Sequence, residues 1–153
     1  MSNAEGVSPL DAHLGFWLRF VSNHVSHAFK LKVEEHGVTV AEWVVLRQLF
    51  ETGATPPSRL AENLGMTRGA ISKLVERLAA KKLAERREAE GDRRFQSVEL
   101  TDHGRTLVPT LAKLADRNDA EFFGHLDPEQ RAALRGLLEG IVGRLGLENL
   151  PVE

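Results

Sequence analysis

The chain has 153 residues, of which 42% are hydrophobic and 27% charged, with a formal net charge of −2, which is an ordinary globular composition. It has no cysteine, which excludes disulfides, thiolate metal sites, thiol nucleophiles and cysteine-based redox sensing. No apolar run approaches the ~20 residues of a membrane-spanning helix, and residues 1–9 lack the pattern of a signal peptide. We therefore expect a cytoplasmic protein with no membrane partner.

The N-terminal part of the chain predicts two helices. Apolar residues recur at spacings of three and four from Leu14 to Val33, so residues 9–35 are predicted to form an amphipathic helix. Thr39 is predicted to begin a second helix over residues 40–51.

The middle of the chain predicts two shorter helices, over residues 58–64 and 68–82. Thr67 is predicted to be the N-cap of the second, because its hydroxyl can accept a hydrogen bond from a backbone N–H two or three residues on. A helix-turn-helix unit needs a small residue where the helices cross, a turn residue that tolerates positive φ, and apolar residues that pack the second helix onto the first. The residues in those places are Ala61, Gly65, Ile71 and Leu74.

A β-hairpin is predicted directly after these helices. Residues 84–87 and 96–100 are expected to be strands, joined by a polar turn that contains Gly91. Arg93 and Arg94 lie near its tip, and such a wing can place arginine in the minor groove of DNA. The alternative is a charged tip that only contacts solvent.

Two further helices are predicted at the C-terminal end, over residues 102–123 and 128–145. Pro109 predicts a kink or a broken first section in the former. The latter is preceded by Asp127, a good N-cap, and is ended by Gly146. It is expected to bury its apolar residues, which are Leu134, Leu137, Leu138, Ile141 and Leu145.

The charge is distributed unevenly along the chain. Residues 57–94 hold ten Lys or Arg against six Asp or Glu, so this segment is +4 and the rest of the chain is −6. A basic segment in an acidic chain is typical of a phosphate-binding surface, although a solvated charged face is an equal alternative on charge alone.

Four motifs at these positions resemble the MarR family of bacterial regulators. They are LAENLGMTR at 60–68, ISKLVERL at 71–78, GDRR at 91–94 and VELTDHG at 98–104. The chain departs from the family in one place, because Lys82 stands where the family often has glycine, which is expected to alter the end of the second short helix.

The resemblance implies a mainly α fold with a small β-hairpin wing, in which a winged helix-turn-helix is flanked by dimerisation helices. Residues 53–101 would be the DNA-binding domain, and residues 9–52 and 102–147 the helical dimerisation region. It further implies a homodimer that binds double-stranded DNA at a palindromic operator as a repressor. Release by a small aromatic or phenolic anion is implied as well.

Seven residues are predicted to contact DNA: Thr67, Arg68, Ser72, Lys73, Arg77, Arg93 and Arg94. Arg68 and Ser72 are expected to reach base edges, and Lys73 and Arg77 to contact phosphates, with an intrahelical ion pair as the alternative for Arg77. In the wing, Arg94 is preferred over Arg93 for the minor groove. Asp92 is expected to orient one of them through a charge-assisted hydrogen bond.

An effector pocket is proposed from position alone, lined by Trp17, Phe20, His24 and Trp43. The alternative is that Trp17 and Phe20 pack the core of the dimer. His24 and His27 have a spacing that can bind zinc, but the sequence names no further ligand, so no metal is expected.

Two other classes of function are alternatives to a DNA-binding regulator. One is a winged-helix module for protein–protein contact, against which the arginine-bearing wing argues. The other is an enzyme, for which the sequence offers no nucleophile elbow, P-loop or zinc-protease motif. No catalytic residue and no cofactor is therefore predicted.

Overall fold

A computed structural model describes residues 6–89 and 92–148. These residues form six α-helices and a two-stranded antiparallel hairpin, which confirms the predicted fold class. A short 3-10 helix at Leu10–Ala12 comes first. The elements are α1 (Leu14–Glu34), α2 (Val40–Thr52), α3 (Pro57–Leu64), α4 (Arg68–Ala80), β1 (Ala84–Ala89), β2 (Asp92–Leu100), α5 (Asp102–Phe123) and α6 (Pro128–Leu145).

The core lies beneath α3 and α4, as the helix-turn-helix pattern predicts. Leu60 and Ile71 are fully buried, and Ala61 is 5% exposed. The turn at Gly65 has a φ of 64°, a left-handed conformation that glycine adopts without strain. Side chains from α2, β2 and α5 close the same core, among them Leu46, Val98 and Leu111.

The hairpin is longer than predicted. Its strands pair from Ala84 opposite Leu100 to Glu88 opposite Gln96, and the register then shifts. Thr55 adds a short third pairing, since its N–H and C=O bond to Val98 at 2.9 and 2.8 Å. The hairpin is therefore attached to the loop before α3 and not only to the end of α4.

Helix α4 ends earlier than predicted, at Ala80 and not at residue 82. Lys82 has a φ of 59° and is the one residue other than glycine with positive φ among those described. The Leu83 N–H then bonds back to the Leu78 carbonyl at 2.9 Å, which is the hydrogen bond of a Schellman C-cap. The residue at which the sequence departs from the MarR pattern thus holds the conformation that glycine would favour.

The broken first section predicted as one possibility at Pro109 is not found, because α5 is one continuous helix from Asp102 to Phe123; the kink predicted as the other stays a prediction. Proline removes one helical hydrogen bond, and the flanking Val108 and Leu111 are 2% and 0% exposed. Pro109 itself is exposed. We attribute the continuity of the helix to the burial of its inner side.

The prediction that α6 buries its apolar residues within the chain is wrong. No residue of α6 is buried, and Leu137 and Leu145 are 69% and 66% exposed. The N-terminal half of α1 is similar, with Leu14 79% and Leu18 48% exposed. A period of three and four predicts which residues share an apolar face, but it does not predict whether the chain itself covers that face.

Candidate nucleic-acid interface

The predicted DNA-contacting residues of α4 lie on the part of its circumference that the core leaves exposed. Arg68, Ser72, Lys73 and Arg77 are exposed, whereas Ile71, Leu74, Val75 and Leu78 on the inner face are buried. The buried face fixes the rotation of the helix about its axis. The outer face can therefore present its polar side chains to a ligand without the core changing.

Thr67 begins α4 as predicted. Its hydroxyl oxygen accepts a hydrogen bond from the Ala70 N–H at 3.1 Å, which leaves other N–H groups of the first turn free to bind an anion such as a phosphate. Arg68 follows directly and is also exposed. The N-terminal end of α4 thus combines backbone donors with a cationic side chain.

Lys73 and Arg77 lie beside a cavity of about 400 Å³ on the face of α4 toward α2. Its other lining residues are Ala41, Gly65, Met66, Thr67, Ala70 and Leu74. Among the described side chains Arg77 forms no ion pair, so the intrahelical pair weighed as its alternative is not found there.

Arg86 on β1 is a residue that the sequence analysis missed. Its Nη2 lies 3.3 Å from the Ser72 hydroxyl and 3.4 Å from the Ser72 carbonyl oxygen. Arg86 therefore links the first strand of the hairpin to the outer face of α4. The basic composition of residues 57–94 indicated such a residue, but only the fold shows which arginine faces the helix.

Arg87, the next residue on β1, is neutralised within the hairpin. Its Nε lies 2.6 Å from Glu99 and its Nη2 lies 3.4 Å from Glu85. The formal charge of the segment therefore overstates the positive charge available to DNA.

Asp92, Arg93 and Arg94 begin β2, so their backbone lies at the end of the hairpin away from α4. The structure does not describe the side chains of residues 89–95. The roles predicted for these three side chains therefore stay predictions.

The four residues of the predicted effector pocket fall into two groups. Trp17, Phe20 and His24 are exposed on α1, with the Phe20 and His24 ring centroids 4.9 Å apart. Trp43 is instead half-buried and packs edge-on against Phe29, with centroids 6.3 Å apart.

A cavity of about 250 Å³ lies between α1, α5 and the start of α2. We call it the α1–α5 cavity; its lining residues are Val25, Ser26, Phe29, Val40, Ala115, Asn118, Asp119 and Phe123. Asn118 is 4% exposed; it donates to the Val25 carbonyl at 3.1 Å and accepts from Lys32 at 3.0 Å. Lys32 also donates to Glu121, and this hydrogen bond holds the pKa of the Glu121 carboxyl below its ordinary value.

Two other observations concern metals and membranes. The described residues contain no group of three or more His, Asp or Glu placed to hold a metal ion. None of the described helices is both long and apolar enough to span a bilayer.

Comparison with known proteins agrees with this geometry. A family model described as the MarR family matches residues 36–94. A solved structure of a probable transcriptional regulator from Pseudomonas aeruginosa is 30% identical, covering 87% of this chain and 99% of that one with a TM-score of 0.76. The chain belongs to the MarR family.

Two further relatives have names that state a function. BpsR of Bordetella bronchiseptica, whose DNA binding is regulated by 6-hydroxynicotinic acid, is 28% identical with a TM-score of 0.77, covering 89% of this chain and 97% of that one. The transcriptional repressor NicR of Pseudomonas putida is 26% identical over 129 residues, which is 84% of this chain and 82% of that protein. The MarR family consists of DNA-binding transcriptional regulators, and this chain is one of them by sequence and fold.

Proposed function

We propose that this MarR-family protein binds a palindromic operator as a homodimer and represses transcription until a small aromatic or phenolic anion releases it. The observation that carries the proposal is the outer face of α4, where Arg68, Ser72, Lys73 and Arg77 are exposed on a helix whose other face is buried. In this proposal α4 enters the major groove and the hairpin lies over the adjacent minor groove.

The proposed contacts divide by position along α4. Thr67 and Arg68 are at its N-terminal end, where backbone donors and a positive charge favour a phosphate or a guanine edge. Ser72, with Arg86 against its hydroxyl, is placed to contact a base edge. Lys73 and Arg77 contact phosphates, and Arg94, ahead of Arg93, enters the minor groove with Asp92 orienting it.

The homodimer is supported by the exposed apolar faces of α6 and of the N-terminal half of α1. So many large apolar residues exposed along two helices are unusual for a monomer and typical of a permanent interface. Residues 9–52 and 102–147 form the dimerisation region in this proposal, and residues 53–101 form the DNA-binding domain.

The effector is the part of the proposal that rests most on relatives. BpsR responds to 6-hydroxynicotinic acid, and NicR is named as a repressor. The α1–α5 cavity has about 250 Å³, and an apolar cavity of roughly 150 Å³ already admits one benzene ring. The four contacts predicted from the sequence, Trp17, Phe20, His24 and Trp43, do not line this cavity, and they stay predictions.

The DNA-binding proposal is tested by selecting duplexes from a random library with the purified protein and titrating the selected duplex at several salt concentrations. We expect specific binding that weakens steeply with salt. Arg68→Gln and Arg94→Ala should each weaken operator binding, whereas Lys73→Gln should lower the salt slope by about one unit because it removes a phosphate contact. Arg47→Gln is the control, since Arg47 is a half-exposed arginine of α2 that pairs with Glu51.

A protein that selects no sequence, and binds random duplexes only weakly at low salt, would contradict the proposal. That result would favour the winged helix as a protein–protein interaction module. It would not support an enzyme, because the relatives described above are transcriptional regulators.

The effector proposal uses the two tryptophans of the chain. Benzoate, phenol and 6-hydroxynicotinate are titrated while tryptophan fluorescence and DNA release are followed together. Each of the variants Trp17→Phe and Trp43→Phe keeps one tryptophan. A bound ligand should quench the fluorescence of the remaining tryptophan to a different extent in the two variants. If none of the three compounds changes fluorescence or DNA affinity, an aromatic effector of this kind is excluded.

A further inference from the structure

The ammonium group of Lys81 joins three helices. Its Nζ donates to both carboxylate oxygens of Glu42, at 2.9 and 2.7 Å, and to the backbone carbonyl of Gly37 at 2.8 Å. A lysine has three N–H donors, so all of them are used. Lys81 is the C-cap of α4, Glu42 lies in the first turn of α2, and Gly37 follows the end of α1.

Glu42 is 1% exposed, whereas the Lys81 side chain is 39% exposed. A buried carboxylate is costly to desolvate and is tolerated only when it is paired and hydrogen-bonded. The surface pairs of this chain, such as Arg47 with Glu51 at 3.7 Å, are exposed on both sides and contribute little to stability. The Glu42–Lys81 pair is therefore of a different kind from the others.

The hydrogen-bond partner of the Glu42 carboxylate differs from the one that its local sequence favours. Thr39 and Glu42 have the spacing of a capping box, and the Thr39 hydroxyl does accept the Glu42 N–H at 3.1 Å. In the complete box before α6, the Gln130 side chain returns to the Asp127 N–H. The Glu42 carboxylate goes to Lys81 instead, so it connects α2 to α4.

The residues that follow Lys81 bind the end of α4 to α5. The Thr101 hydroxyl donates to the Lys82 carbonyl, and the Thr101 N–H donates to the Leu83 carbonyl at 3.1 Å. The C-terminal end of α4 is thus held on one side by α1 and α2, and on the other by α5. Both α1 and α5 belong to the proposed dimerisation region.

We infer that Glu42 and Lys81 are a positioning pair that sets where the recognition helix α4 lies relative to the dimerisation helices. This inference rests on the proposed function. In a dimer, the pair fixes the separation of the two recognition helices, and with it the spacing of the two half-sites that the protein accepts. Neither residue needs to contact DNA for this role.

The substitution Glu42→Gln separates this role from simple electrostatics. It removes one negative charge from each protomer, so electrostatics alone would strengthen binding to any DNA. A positioning role predicts the opposite for the operator: binding weaker by about tenfold, with unchanged or tighter binding to random duplexes. The matched control is Glu51→Gln, the same charge change at an exposed site on the same helix.

A second comparison addresses Lys81 directly. Lys81→Gln and the neighbouring Lys82→Gln each remove one positive charge. A positioning role predicts that the former loses operator affinity and accepts duplexes whose half-sites are moved one base pair closer or further. Lys82→Gln should lose only the operator affinity that one positive charge contributes, and it should keep the wild-type preference for half-site spacing.

The separation of the helices can also be measured without DNA. The chain has no cysteine, so Ala79→Cys on the exposed side of α4 gives one spin label per protomer. Pulsed electron resonance then measures the distance between labels in the dimer. We expect Glu42→Gln to shift this distance by about 2 Å or to broaden its distribution, and Glu51→Gln to leave it unchanged.

Equal operator affinity, spacing preference and label distance for folded Glu42→Gln and Glu51→Gln would overturn the inference. If Glu42→Gln does not fold, Lys81→Gln replaces it with Lys82→Gln as its control, because the amide of glutamine cannot supply the three N–H donors of the ammonium group. A wild-type protein that selects no duplex would overturn the proposed function instead, and the label distances in the free dimer would still decide the positioning role.

Discussion

At the scale of single residues, Lys82 is the clearest departure from a local rule. The described helices α1, α3 and α6 each end with a glycine of positive φ, and at the end of α4 the corresponding conformation is held by Lys82. A left-handed conformation costs an L-residue with a side chain about 1–2 kcal/mol. The backbone bonds of Leu83 and Thr101 around it hold the turn in this conformation regardless of side chain.

Lys82→Gly should therefore raise the free energy of unfolding by about 0.5–1 kcal/mol. Glycine relieves the backbone strain of the folded state, and the greater conformational entropy that it gives the unfolded chain offsets part of this gain. Thermal and urea unfolding followed by circular dichroism measure it. Lys82→Ala is the control, since alanine keeps the strain, and it should be close to neutral. A glycine variant that is no more stable than the alanine variant would show that the turn carries no strain.

The sequence is least informative about contacts between individual side chains that are far apart along the chain. The period of α4 was sufficient to place Ile71 inside and Ser72 outside. It gave no sign that Glu42 would be buried against Lys81, because that pair joins residues far apart in sequence. A charged residue in the first turn of a helix is ordinarily exposed, and only the packing of α2 against α4 changes that.

At the scale of elements, the contact between the start of α5 and the turn after α4 determines how the hairpin is joined to the helices. A Cβ on Gly104 would overlap the backbone carbonyl oxygen of Leu83 and lie 3.0 Å from its carbon. Both neighbours are backbone atoms held by the Thr101 hydrogen bonds, so they cannot move away as a flexible side chain would.

Gly104→Ala should accordingly destabilise the fold by roughly 2–4 kcal/mol, the range of overpacked cores and displaced backbone. Gly69→Ala is the matched control, because the nearest atom to its Cβ is the Thr67 hydroxyl oxygen at 4.0 Å. That variant should be neutral or more stable by up to ~1 kcal/mol. Chemical denaturation of both variants distinguishes them, and equal midpoints would mean that α5 shifts freely against the turn.

The elements themselves were largely predictable from the sequence, apart from their ends. Caps such as Thr67 and Asp127 act locally, so their spacing alone placed the starts of α4 and α6 correctly. Pro109 does not break α5, because its local effect is outweighed by the burial of Val108 and Leu111 on the same helix. The end of α4 was misplaced by two residues because the conformation of Lys82 depends on contacts with α5.

At the scale of the whole molecule, α1 and α6 carry large apolar residues that no other described part of the chain covers. Helix α6 is joined to α5 by the Arg131–Asp119 ion pair at 2.7 Å, but its apolar residues, among them Ile141 at 47% exposure, remain in solvent. The period of the sequence predicts which residues share an apolar face. It does not predict what covers that face, because the second copy proposed to do so is a separate molecule.

Ile141→Glu should dissociate the proposed dimer, because it would bury a carboxylate without a partner in an apolar interface. Sedimentation equilibrium should then give the 17.0 kDa mass of one chain, where the wild type gives about twice that value. The circular dichroism should change little, since α6 contributes no buried residue within the chain.

Operator affinity should fall by about 10²-fold or more, because each half-site is then bound independently. Val7→Glu, an equivalent change at an exposed apolar residue outside the proposed dimerisation region, should remain dimeric. If Ile141→Glu remains dimeric and binds the operator normally, the two copies associate through α1 alone or through another surface, and the dimerisation region has to be redrawn without α6.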